Sequence, residues 1–430
     1  MATFFEVKQL LCRMFGYRDS IDNENDVIID IRNGRYNSER QGDLGQLVIN
    51  NDELLELYND IVSSQVENME LFSENEYEIA IDLDYPMMRR QEYPITSHDT
   101  INDISYELGF PTLRYCVFLL ISIRDAQPER ARAMLPMRLH RPMDFLRYVD
   151  RDDDDITWEK ILPRMMCGLS LKIISARPKD IEEFRTHKTS FIFNFMYRSG
   201  TALVEFSDVV DMFRMNNTGR DRVDVSSVDT PPLREYSNDV VDYYKLALSS
   251  NDPYIKYISF YHIIEYFFDE VFKKKMVNDL KSRITHPDFS YKNEEKVYEI
   301  ALFVKNRLRM NDESGQGNEL ESLKYVLAEY VFVDDLKNRL DNTVPDAVQY
   351  YQSSKVSFCN APTISWSDLQ GVYTQMAKRI YYTRNSLVHS KSGKNQERYK
   401  PYRDEVLLQK EIPLVKAVAE QIIINSSSML

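Results

Sequence analysis

Along residues 366–389, apolar side chains recur at steps of three and four: Leu369, Val372, Tyr373, Met376, Ile380, Leu387 and Val388. That spacing sets them on one face of a helix. The first half of the chain has a different period. Residues 26–31 and 76–83 alternate apolar and polar positions, as half-buried strands do, and 169–175, 190–197 and 202–206 read as further strands. Residues 52–62 read as a short helix, whereas 114–124 fit a buried strand or a core helix equally well. The pattern dissolves over 216–238, which hold a glycine, a proline pair and no sustained period, as a linker would. Beyond it the period is helical nearly to the end. Residues 254–272 carry eight aromatics and are apolar almost all round, so they predict a buried central helix. Residues 299–309, 320–340 and 410–424 add three more. The expected fold is an α+β region over 1–215, with a second division near 150–155, a linker over 216–238, and an all-α helical bundle over 239–430.

Composition narrows the class without naming the function. A chain of 430 residues that is 43% hydrophobic holds enough apolar surface for two or three cores. Its formal net charge of -14 argues against a generally basic nucleic-acid coat, so any such contact must be local. The four cysteines, Cys12, Cys116, Cys167 and Cys359, are too scattered for a disulfide framework or a metal knuckle and fit a reducing compartment. Residues 1–19 carry Glu6, Lys8 and Arg13 and lack an apolar core, and the longest apolar run, 115–123, is nine residues. The expectation is a cytoplasmic protein with no leader and no membrane segment. The acidic run 150–155 is not a calcium loop, because Asp155 and Ile161 stand where the loop needs its glycine and its bidentate acid.

Candidate chemistry gathers at the end of the 366–389 helix. Arg384 lies on the apolar stripe, where an unpaired charge is costly, so it needs an anion. Asn385 and His389 are an i, i+4 pair on the neighbouring face. From Gly371 to Arg403, the eight cations Lys378, Arg379, Arg384, Lys391, Lys394, Arg398, Lys400 and Arg403 face one acid, Glu397, a local charge of +7. Such a patch in an acidic chain suits phosphate. The interleaved Tyr373, Tyr381, Tyr382, Tyr399 and Tyr402 offer faces for unpaired bases. On the aromatic helix, His262 and Glu265 fit a hydrogen-bonded core pair or, alternatively, a support in which Glu265 holds Arg384.

The run Arg384-Asn385-Ser386-Leu387-Val388-His389 is an Arg, four residues and a His, and with the long amphipathic helix before it the chain resembles the HEPN superfamily of ribonucleases. The flanking helices over the last 195 residues or so are similar to its Apea-like branch. The resemblance implies a metal-independent, cofactor-free endoribonuclease acting as a homodimer through the helical domain and leaving a 2′,3′-cyclic phosphate. It also implies an antiviral, abortive-infection or toxin role, with the first half sensing a trigger or binding a regulatory protein. Some toxins of the family carry a Tyr two residues after the His as a target for silencing; here that position is Lys391.

Elementary chemistry agrees with that assignment. The ribose 2′-hydroxyl attacks the adjacent phosphorus, so the protein needs only proton transfer and charge stabilisation. His389 serves as acid or base, Arg384 forks onto phosphate oxygens, and Asn385 orients either. Lys378, Arg379, Lys391, Lys394, Arg398, Lys400 and Arg403 are the expected RNA-backbone contacts. Each chain offers one such histidine while the reaction uses an acid and a base, so a two-fold dimer supplies both. No phosphate-binding glycine loop, nucleophile elbow or zinc-hydrolase motif occurs. The competing expectations are a non-catalytic RNA- or nucleotide-binding and dimerisation module, and a purely structural ion pair between Arg384 and Glu265.

Overall fold

The computed structural model describes residues 2–14, 27–30, 46–83, 94–125, 157–166, 168–206, 208–209, 212, 230–309, 316–388, 399–401 and 403–430. Most of the expected linker, the acidic run 150–155, and His389, Lys391, Lys394, Arg398 and Tyr402 lie outside the described residues. The chain divides into two compact units, Met1–Glu235 with Leu430, and Tyr236–Met429. The first contains a sheet and the second is helical.

In the first unit, α1 (Phe4–Met14), the antiparallel pair β1 (Val27–Asp30) and β2 (Gln46–Ile49), and α2 (Asn51–Ser63) come before the main sheet. That sheet comprises β3 (Gln65–Glu67), β4 (Glu70–Phe72), β5 (Glu76–Leu83), β6 (Ile95–Asp99), β7 (Ile104–Gly109), β8 (Leu169–Ser175) and β9 (Leu203–Glu205). Every pairing is antiparallel, in the order β3-β4-β5-β8-β7-β6, with β9 on the far end of β5. Register explains the core: Tyr77, Ile173 and Tyr106 stand side by side across three strands, while the next residue along each, Glu78, Lys172 and Glu107, turns to the opposite face. After α1 and α2, the described helices of this unit are α3 (Leu113–Asp125), α4 (Trp158–Met165) and α5 (Ile181–Ser199). The last seats on the tyrosine face, Phe184 stacking on Tyr77 at 5.7 Å and Phe191 on Tyr106 at 5.4 Å.

One open reading is resolved here and another is overturned. Residues 114–124 are helical. Residues 190–197, expected as a strand, belong to α5: a capping box between Asp180 and Glu183 starts that helix, and Gly200, at φ 70°, ends it. The run Ser190–Phe191–Ile192–Phe193 is buried on consecutive positions, so strand-like composition there reflects a helix enclosed nearly all round.

The second unit runs α6 (Asn238–Ser249), α7 (Pro253–Tyr266), α8 (Phe268–Ile284), α9 (Glu294–Arg309), α10 (Gln316–Tyr330), α11 (Val333–Thr343), α12 (Ala347–Ser353), α13 (Val372–Val388), α14 (Glu405–Gln409) and α15 (Ile412–Ser426). Its core is apolar and aromatic, including Tyr244, Tyr257, Phe260, Leu327 and Val418. Two helices expected as single are broken. Residues 254–272 bend at Phe267 (φ -93°, ψ 0°), whose ring turns inward to pack edge-on against Tyr330 at 5.5 Å. Residues 320–340 open at Val331–Phe332, where Tyr373 Oη donates to Val331 O and Phe332 N donates to Gln421 Oε1, so tertiary partners replace the lost helical bonds. The 366–389 helix begins later than its apolar pattern does. Asp368 accepts from Gly371 N at 2.9 Å and holds a turn there, leaving Leu369, expected in the core, 78% exposed.

Candidate active site on the arginine helix

Helix α13 presents Arg384 one turn before its end, with 14% of the side chain exposed. Three helices meet around it. Asn385, its neighbour on α13, accepts from Arg384 Nη1 at 3.1 Å. Glu319 of α10 places Oε2 3.5 Å from the same nitrogen, and Glu265 of α7 places Oε1 3.7 Å from Nη2. The guanidinium lies over the ring of Tyr261, also of α7, 5.1 Å from its centroid. The Tyr381 hydroxyl lies near enough to Asn385 and Glu319 for both to act on its ionisation, which burial above all makes harder.

Glu265 is tied twice. Its Oε2 lies 3.0 Å from His262 Nδ1, and the His262 ring lies 5.1 Å from that of Tyr243. The hydrogen bond from His262, with the Arg384 charge behind it, holds the Glu265 carboxyl below the usual carboxylate range against the opposing effect of burial. The two contacts use different oxygens of one carboxylate, but the His262–Glu265 pair is not in the core, its side chains being 40% and 33% exposed. Ser259, in step with His262 and Glu265 along the sequence, is simply buried.

Arg379 requires a correction. Expected among the phosphate contacts, it is 0% exposed and held in a buried ion pair with Glu411. Its Nε and Nη2 fork onto Glu411 at 2.8 Å each, and Nη1 donates to Ser354 O at 2.7 Å and Pro362 O at 3.0 Å. Tyr350 donates a further bond to Glu411 at 2.9 Å. Four of its five N–H donors are spent on buried partners and the side chain is enclosed, so it does not reach a backbone phosphate, and the local surface charge is smaller than the sequence implies. Among the other cations, Lys378 is half-buried, Lys400 is exposed, and Arg403 is exposed but paired with Asp404 at 3.0 Å. Of the tyrosines, Tyr382 is exposed, Tyr373 is committed through its hydroxyl to Val331, and Tyr399 packs on Phe358 at 5.6 Å. Tyr381 is buried.

Sequence reasoning missed Glu319, Tyr261 and Tyr381 around the arginine, and Glu411 beneath its neighbour. Glu319 carries no local signal, being one acid near the start of a helix. Tyr261 sits in an aromatic-rich helix, where composition marks it only as core, and Tyr381, expected to face unpaired bases, is instead buried beside the arginine. Chemically, the group assembled at Arg384 can receive an anion. It offers a guanidinium in long contact with two carboxylates, beside an amide able to orient a ligand, at the end of a helix whose next residue is His389.

Comparison with known proteins places one relationship on the helical half. Residues 240–424 match the family model described as Methylamine utilization protein MauJ. The comparisons with curated proteins and with solved structures gave no match. Among the described residues, no helix is long and apolar enough to cross a membrane, and no group of three or more His, Cys, Asp or Glu is placed to hold a metal ion. The similarity thus falls on the unit that carries Arg384, from α6 through α15.

Proposed function

We propose that the helical unit is a metal-independent endoribonuclease of the HEPN type, cleaving RNA by transesterification with Arg384, Asn385 and His389 of a homodimer. The observation that carries this reading is the loosely held guanidinium of Arg384, five positions before His389. Arg384 receives the non-bridging oxygens of the scissile phosphate and offsets the charge that builds as the 2′-hydroxyl attacks. His389 moves the proton, and the second subunit supplies the complementary group. Glu265, backed by His262, and Glu319 keep the guanidinium in place between turnovers. The family label names a metabolic setting, methylamine utilisation, rather than a reaction, so the assignment of chemistry rests on the residues. A cytoplasmic location and an antiviral or growth-arresting role, with the sheet-bearing unit as trigger sensor, belong to the same proposal.

A second reading has its own observation. Glu265 and Glu319 both lie against Arg384, which suits a structural ion cluster in a non-catalytic RNA- or nucleotide-binding and dimerisation module. Incubation of the purified full chain with total RNA in EDTA, beside Arg384→Ala and His389→Ala, separates the two. The proposal expects fragments ending in 2′,3′-cyclic phosphate from wild type alone and a dimer in sedimentation at micromolar concentration. Intact RNA with the wild-type protein favours the module, and cleavage by a strict monomer removes the composite site.

A further inference from the structure

Tyr261 is fully enclosed, at 0% exposure, and among the described residues its hydroxyl has no hydrogen-bond partner. Buried hydroxyls are almost always bonded, and an unpaired one lowers stability. Phenylalanine would fill the same space without that penalty. The contrast lies one turn earlier on α7: Tyr257, equally buried, donates its hydroxyl to Ile380 O at 3.1 Å. The two tyrosines share a helix and an environment, yet only one has its polar atom satisfied.

The unsatisfied one belongs to the arginine site. Its ring carries the Arg384 guanidinium, and its hydroxyl is close enough to Arg384, Glu319 and Glu265 for their charges to act on it, although burial remains the main reason it resists ionisation. Arg384 is itself under-used. Among the described residues its one ordinary hydrogen bond is the 3.1 Å contact with Asn385; its carboxylate contacts stretch to 3.5 and 3.7 Å. The guanidinium and the hydroxyl of the ring it lies over, on two helices, are therefore both left short of acceptors. A single anion with several oxygens satisfies both.

We infer that the Tyr261 hydroxyl is a phosphate-binding donor of the Arg384 site, completing its hydrogen bond to a phosphate oxygen when an RNA phosphate replaces Glu319 or Glu265 at the guanidinium. The inference rests on the proposed phosphate chemistry of that site. Exchanging one anion for another keeps Arg384 neutralised throughout, and the weak carboxylate contacts make the exchange easy. Tyr261 then stabilises the bound phosphate alongside Arg384.

The test uses the full chain as wild type, Tyr261→Phe, Tyr257→Phe and Arg384→Ala, each followed by thermal unfolding, by affinity for an uncleavable 2′-O-methyl RNA, and by single-turnover RNA cleavage. Tyr261→Phe is expected to unfold at or above the wild-type temperature, to bind the oligonucleotide about tenfold more weakly, and to cleave about ten- to a hundredfold more slowly. Tyr257→Phe should lose thermal stability and keep its turnover. Tyr261→Phe with affinity and cleavage both within twofold of wild type overturns the role given to the hydroxyl. A wild-type protein that does not cleave but binds RNA, with binding weakened by Tyr261→Phe, removes the ribonuclease reading and leaves the phosphate donor standing. Affinity unchanged by Arg384→Ala removes the phosphate site, and the role of Tyr261 with it.

Discussion

Arg379 and Arg384 stand five residues apart on one helix and lead opposite lives. Arg379 is buried, forked onto Glu411, and bonded to two carbonyls, with the rings of Tyr350 and Tyr351 5.4 and 5.0 Å from its guanidinium carbon. Arg384 keeps some solvent contact, has one hydrogen bond of ordinary length, and is flanked by carboxylates too distant for strong bonds. The first arrangement engages four of the guanidinium's five N–H donors and fixes α13 against the turn leading into α15 and the 354–362 segment. The second leaves a guanidinium with capacity for another anion. Such pairing is what a structural arginine needs, because a buried charge lacking partners is strongly destabilising. Spare capacity is what an anion-binding arginine needs, because the ligand must displace whatever holds it.

The largest effect should come from breaking the buried member. Arg379→Met leaves the Glu411 carboxylate buried without its partner and strips the donors from Ser354 O and Pro362 O. A loss of about 3–5 kcal/mol is expected in urea unfolding followed by helical circular dichroism and by tryptophan fluorescence, to which Trp366 in this unit contributes. Arg384→Met should cost about 1 kcal/mol or less in the same assay, as for a partly exposed ion pair. Equal losses would erase the distinction between the two arginines.

Next in size is the effect on chemistry. Arg384→Ala should slow single-turnover cleavage by about a hundred- to a thousandfold with the fold intact, the range seen when one donor to a developing anion is removed. Arg384→Lys should fail nearly as badly, since an ammonium cannot present two parallel donors to a phosphate. A lysine variant with near wild-type turnover would show that a point charge suffices and that the planar fork is unimportant.

The same pair shows where sequence stops being informative. The apolar period placed a helix through Ile380 and Leu387, and it put Arg384 beside the core, where the structure finds it. Summing neighbouring charges along the chain puts Arg379 in the surface patch, because the sum treats every cation as solvated. Its partner Glu411 lies 32 residues away, and long-range pairing of that kind leaves no local trace. Residues 76–83 and 169–175 form β5 and β8 as expected, although Tyr77 to Ile81 are buried in succession rather than alternately, while residues 190–197 are misread because burial all round erases the helical period. The breaks at Phe267 and at Val331–Phe332 were invisible because packing and tertiary hydrogen bonds, rather than glycine or proline, create them.

The smallest expected effect sharpens the comparison most, because it tests the carboxylate side of the looser arginine. Glu265→Gln preserves shape and an oxygen for His262, and it removes the charge 3.7 Å from Arg384. With Glu265 about one-third exposed, the change should cost about 0.5–1 kcal/mol near pH 7. The sign of its pH dependence follows from the lowered carboxyl: a group whose folded pKa lies below its unfolded value, ~4.3, stabilises fully above that value and loses its contribution as pH falls through the folded one. Wild type and Glu265→Gln should therefore differ in stability at pH 6–7 and converge only as pH falls through the lowered Glu265 carboxyl. Cleavage should change by less than about tenfold, since Asn385 still orients the guanidinium. A stability loss comparable to that of Arg379→Met would make Glu265 a counterpart of Glu411 and Arg384 a second structural arginine. A rise in RNA affinity with little stability change would instead identify Glu265 as an anion that the substrate phosphate displaces.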